Sequence, residues 1–140
     1  MKPVTITAGH GGSDPGAVYG GFTERDLMTE LRDLVRFHLV SYHGLATRAD
    51  GNWGVNDTLA SALHLIAGSS VAIELHCNAA TSIGARGVEV VSSEANAPLA
   101  RKLAKAIAGA LGSRVRGDGG WIDQAQTARG RIGFVARGGL

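Results

Sequence analysis

Two histidines and two glutamates carry most of the chemistry this sequence offers. His10 closes the run Val4-Thr5-Ile6-Thr7-Ala8-Gly9, His76 closes Val71-Ala72-Ile73-Glu74-Leu75, and Glu24 follows Thr23 where a helical pattern begins. Glu74 lies two residues before His76. Two neutral imidazoles and a carboxylate are a sound ligand set for a divalent ion such as catalytic zinc, which takes three protein groups and keeps a position for water. Taken singly, each residue also has an ordinary explanation. A lone histidine after a strand is often a satisfied loop residue, and a glutamate in the first turn of a helix is favoured by the helix dipole.

Whether these side chains meet depends on the elements that carry them. Val4 and Ile6 alternate with Thr5 and Thr7 as in a strand, and Gly9, Gly11, Gly12 and Gly16 then break the pattern. The nearly continuous apolar run from Val71 to Cys77 reads as a central parallel strand. Two parallel strands ending in histidine bring both imidazoles to one carboxyl edge, where open α/β sheets bind ligands. Thr23-Glu24-Arg25-Asp26 reads as a capping box, with Thr23 as cap and Asp26 reaching back, so Glu24 belongs to the same edge. Strand alternation puts Glu74 on the face of His76, where a carboxylate needs a partner, a raised pKa or a role.

Leu27, Leu31, Leu34, Val35 and Leu39 recur at helical spacing and predict the buried face of the first helix, with His38 beside it and His43-Gly44 as its end. Leu45-Ala46-Thr47-Arg48 predicts a short strand, and residues 57–67 predict a second helix that buries Leu59, Leu63 and Ile66 with His64 on its flank. Gly87–Ser92 predicts another strand. Asn96-Ala97-Pro98 opens a helix with the stripe Leu99, Leu103, Ile107 and Leu111, leaving Arg101, Lys102 and Lys105 in solvent. Residues 113–130 read as a long polar loop around Trp121 and Ile122, and 131–136 as a last short element. The fold class expected is α/β, a mostly parallel sheet with helices on both faces, in a single domain over residues 1–140.

Composition narrows the classes further. The 140 residues carry a net charge of +2, with five Lys/Arg against seven Asp/Glu in residues 1–70 and nine against five in residues 71–140. That dispersed basic half, with few aromatic residues to stack on bases, argues against nucleic acid as a partner. No apolar run approaches the roughly 18 residues of a membrane span, so no membrane role is expected. Cys77, the one cysteine, reads as a small buried hydrophobe. Met1-Lys2-Pro3-Val4 enters a strand without the pattern of a secretory signal, and a monomer made in the cytoplasm is expected.

Through Ala8-Gly9-His10-Gly11-Gly12 with Asp14-Pro15-Gly16-Ala17, Glu24, His76-Cys77-Asn78-Ala79 and Gly87-Val88-Glu89-Val90, the chain resembles the zinc-dependent N-acetylmuramoyl-L-alanine amidases of the type 3 family, found among bacterial autolysins and phage endolysins. The resemblance spans nearly the whole chain, in order. It implies that His10, Glu24 and His76 hold Zn2+ and that an activated water cleaves the amide between N-acetylmuramic acid and L-alanine in peptidoglycan. It further implies an endolysin acting on the cell wall after release. The family places a general-base glutamate on a final apolar strand, and by this resemblance residues 1–140 lack both. Glu74, where a small polar residue is more usual, and Glu89, which matches a recurrent family glutamate, are candidates to orient a ligand. Asn78, Arg129 and Arg131 are candidates for substrate contact. The alternatives are a non-catalytic zinc-containing or wall-binding module on this scaffold, a zinc hydrolase of another amide or ester, and an α/β binding domain whose histidines are structural.

Overall fold

In the computed structural model, which describes residues 1–82 and 84–140, the first strand is buried along almost its whole length: Thr5, Ile6, Thr7 and Ala8 are each at most 3% exposed. Alternate residues of a strand point to opposite faces, so burial of both sets demands cover on both. That strand, β1 (Val4–Ala8), is flanked by β4 (Thr47–Arg48) and β5 (Val71–Leu75), giving the order β4-β1-β5. Both pairings are parallel, with Val4 opposite Thr47 and Ala8 opposite Leu75. The helices packed on β1 are α1 (Glu24–His43) and α2 (Leu59–Ile66). A two-stranded antiparallel ribbon, β2 (Val18–Tyr19) with β3 (Phe22–Thr23), leads into α1.

The chain is thus mixed α/β with parallel strands and helices, and it divides into two compact units, Met1–Ala79 and Ala80–Leu140. The elements above belong to the first. The second is built from β6 (Val90–Ser92), α3 (Ala97–Ala110) and β7 (Trp121–Asp123), with β6 and β7 paired in parallel. The stretch expected as loop therefore contains a strand. Trp121 Nε1 donates to the fully buried Ser92 Oγ at 3.0 Å, tying β7 to β6 amid glycines that hide it from any pattern. The last element is a 3-10 turn at Val135–Arg137.

Thr23 caps α1 by accepting from the Asp26 N–H, but the Asp26 carboxylate takes Arg25 Nε at 2.8 Å, so the cap is that of a single threonine; Gly44 closes the helix in the left-handed region with its own N–H on a backbone carbonyl. The buried face of α1 departs from the sequence pattern. Leu27, Leu31 and Leu34 are 40–54% exposed, whereas Glu24, Met28, Thr29, Arg32 and Asp33 are buried. His38 is likewise exposed, ring to ring with Tyr42. The polar residues win that face because Arg32, with no exposed surface, finds a partner for every donor. Its guanidinium bonds Asp33, the Asn56 side chain and the carbonyls of Asp50, Asn52 and Val55.

Two other faces shift in the same way. α2 buries Ala62 and Ile66 while Leu59 is exposed. α3 buries Ala97, Ala100, Ala104 and Ala108, small residues that allow close approach, and leaves Ile107 and Leu111 exposed. Nor is Arg101 simply solvated: its guanidinium carbon lies 4.9 Å from the Trp121 ring centroid and it pairs with Asp118. No helix among the described residues is long and apolar enough to cross a membrane.

Asp50 gives this fold a pH signature. It is 2% exposed, 3.6 Å from Arg32 Nη1, and burial pushes its carboxyl up to about 7 against the pull of its own backbone N–H and of Arg32. A carboxyl raised on folding contributes stability below its unfolded value near 4 and loses it as pH rises through the folded one. Asp50→Asn should therefore match the wild type near pH 4 and exceed it by roughly 1–3 kcal/mol at pH 8. Denaturant titration of both proteins across that range checks this; a constant difference would refute it.

Candidate metal centre

His10 and His76 step off the carboxyl ends of neighbouring strands. The ladder continues past Ala8 and Leu75, with Gly9 N–H donating to Leu75 O at 2.7 Å, so Gly9 lies against His76. A Cβ on Gly9 would fall 2.2 Å from the His76 ring. On the other side, a Cβ on Gly16, whose φ is +65°, would meet the His10 ring at 2.6 Å and Glu24 Oε2 at 2.8 Å. Both glycines are needed for the imidazoles to close on Glu24.

Glu24 is only 4% exposed, yet it is well supplied with donors. Its Oε1 takes the Cys77 N–H at 2.7 Å and lies 3.0 Å from His76 Nδ1. Its Oε2 takes the Ala17 N–H at 3.1 Å and lies 3.3 Å from His10 Nε2. One ligand atom from each of His10, Glu24 and His76 lies within 4.8 Å of the others. Atoms sharing one tetrahedral ion at 2.0–2.2 Å stand about 3.4 Å apart, so the spacing and the N,N,O donor set fit a small divalent cation.

The second nitrogen of each ring is also held. His10 Nδ1 meets Asp14 Oδ2 at 2.8 Å, and His76 Nε2 meets Glu74 Oε1 at 3.1 Å. Carboxylates on the far nitrogens fix ring orientation and tautomer, as is common behind metal-binding histidines. For His76, burial lowers the pKa, but Glu74 and Glu24 outweigh it and the net shift is upward. Asp14 is lowered chiefly by its bond to His10, with the Gly16 N–H adding to it.

Of the residues anticipated from sequence, His10, Glu24, His76 and Glu74 therefore converge in the first unit. Asn78 is exposed, two residues past His76. The other three lie in the second unit. Glu89 pairs with Arg116 at 3.2 Å, Arg129 is exposed, and Arg131 is exposed in an open concavity with Gly133, Ala136 and Arg137. Cys77 is half-buried, its Sγ 3.9 Å from Met28 Sδ, and burial, then Glu24, raises its thiol pKa. Asp14, present in the motif Asp14-Pro15-Gly16-Ala17 but given no role from sequence, holds His10 from behind; a carboxylate four residues after a histidine in a glycine turn is its readable sign.

Fold and site together define an α/β protein with a candidate metal centre, His10, Glu24 and His76, at the carboxyl edge of a parallel sheet. Residues 4–128 match the N-acetylmuramoyl-L-alanine amidase family model. The chain is 38% identical to the protein in "The crystal structure of the putative N-acetylmuramoyl-L-alanine amidase from Neisseria meningitidis", with a TM-score of 0.89 over 99% of this chain and 76% of that one. No curated protein matches. The chain belongs to the N-acetylmuramoyl-L-alanine amidase family.

The Gly9 contact is directly testable. Gly9→Ala should push the His76 ring off Glu24 and weaken divalent-metal binding about tenfold or more while the far-UV spectrum holds. Chelator competition on the folded variant measures this, and wild-type affinity would contradict the packing argument.

Proposed function

We propose that this chain is a zinc-dependent peptidoglycan amidase in which His10, Glu24 and His76 hold the ion, cutting between N-acetylmuramic acid and L-alanine. The observation that carries it is the convergence of two imidazoles and one buried carboxylate at the sheet edge of a chain from this family. When bound there, zinc supplies a Lewis acid that polarises the scissile carbonyl and makes water nucleophilic near neutral pH.

The protein's own part is geometric. Glu24 presents one oxygen to each imidazole and is itself fixed by two backbone N–H groups. Asp14 and Glu74 orient the rings from behind. Glu74 contacts the His76 nitrogen that faces away from Glu24, which favours an orienting role over that of general base. Asn78, exposed beyond β5, and the exposed guanidiniums of Arg129 and Arg131 are proposed to contact substrate, the arginines through stem-peptide carboxylates. The biological setting proposed is lytic, with cell wall as target.

Purified sacculi test the reading. Stripped protein should release no product; zinc should restore release of peptides with a new L-alanine amino terminus, identified by mass. His10→Ala and His76→Ala should each reduce the rate to background. Binding to sacculi without new amino termini would instead establish a non-catalytic module, and a different product mass another hydrolase.

A further inference from the structure

His10 is the one non-glycine among the described residues with a positive φ, +65°. Residues with a Cβ adopt a positive φ uncommonly, histidine more readily than most, so the bonds on either side of it decide how firmly it is kept. Asn56 bonds the backbone on both sides of this turn. Its Nδ2 donates to Ala8 O at 2.7 Å and also to His10 O, so one amide group clasps the two carbonyls that flank Gly9. The donors of that amide must face these acceptors, which leaves Oδ1 to accept from Arg32 Nη1 at 2.9 Å.

Arg32 makes the clasp rigid. It has no exposed surface, it springs from α1, and its remaining donors go to Asp33 and to the carbonyls of Asp50, Asn52 and Val55. Asp33 Oδ2 in turn accepts the Gly54 N–H at 2.7 Å. Residues 50–56 are thus wrapped around one buried guanidinium, and their last member reaches the backbone of His10. The same helix presents Glu24 in its first turn. One end of α1 sets the carboxylate directly, and Arg32, two turns on, sets the imidazole at one remove.

We propose that Asn56, anchored by Arg32, is a positioning residue that holds His10 in the left-handed backbone from which its ring meets Glu24. This rests on the metal-centre reading above and extends it to two residues that touch no ion. Asn56→Asp separates the parts of the clasp: the side chain keeps its size and its acceptor for Arg32 but loses both donors, to Ala8 O and His10 O, and sets a carboxylate oxygen against those carbonyls. Asn56→Ala removes both.

The test is zinc affinity of the stripped full chain, measured against a chromophoric chelator, with the visible bands of the Co2+ form as a report on the ligand set. Ala62→Gly loosens buried α2 without touching the clasp and serves as the control for lost stability. Both Asn56 variants should bind Zn2+ about tenfold to a hundredfold more weakly and show altered Co2+ bands, whereas Ala62→Gly, at an equal or lower unfolding midpoint, keeps wild-type affinity and bands. Wild-type affinity in the folded Asn56 variants would overturn the clasp and leave the metal reading standing. Equal loss in Ala62→Gly would also overturn it. A wild type that binds no zinc would remove both.

Discussion

A buried carboxylate must be repaid with hydrogen bonds, and Glu24 organises its surroundings through that requirement. Four donors or potential donors converge on its two oxygens, two from backbone N–H groups and two from imidazoles. They bring two pieces of chain together: the glycine turn through Ala17 and His10, and the end of β5 through His76 and Cys77. The helix dipole adds to the effect, because Glu24 is the first residue of α1.

The arrangement has a second tier with the same logic. Behind each imidazole stands another carboxylate, Asp14 or Glu74, so each ring is gripped by oxygen on both edges. The rings lie edge to face with centroids 5.3 Å apart. These contacts orient both rings toward Glu24, the arrangement that a shared metal ion would use. Glycine at positions 9 and 16 is the steric counterpart, since a methyl group at either would occupy space that a ring already fills.

How much of this the sequence disclosed depended on whether the information was local. Strand ends, the Thr23 cap and the Gly44 stop are local, and so His10, Glu24 and His76 could be assigned to one edge from spacing alone. Glu74 followed from strand alternation. The buried faces of the helices were not local. Leu27, Leu31 and Leu34 form as good a stripe as any, but which stripe faces inward was decided by Arg32 and its partners in residues 50–56, some twenty positions away. In α3 the alanine row at 97, 100, 104 and 108 competes with the leucine row at the same period, and close packing chose the smaller residues. The short strand β7 has too few residues, among too many glycines, for periodicity to register.

That outcome for α1 bears on why its polar face is inward at all. Apolar burial is non-directional and tolerates a helix rolled about its axis, whereas five guanidinium bonds do not. Rolling α1 to cover Leu27, Leu31 and Leu34 would gain apolar area, but it would carry Arg32 away from the carbonyls of residues 50–55 and Glu24 away from both histidines. A buried ion-pair network is a weak source of net stability, but the five directional bonds of Arg32 fix the rotation of α1. Here definition is what the site requires, because Glu24, Arg32 and Asp33 are all buried on α1 and each is held by directional bonds. The exposed leucines are the energetic cost of fixing the roll of that helix, and the position of Glu24 between two imidazoles is what the fixed roll provides.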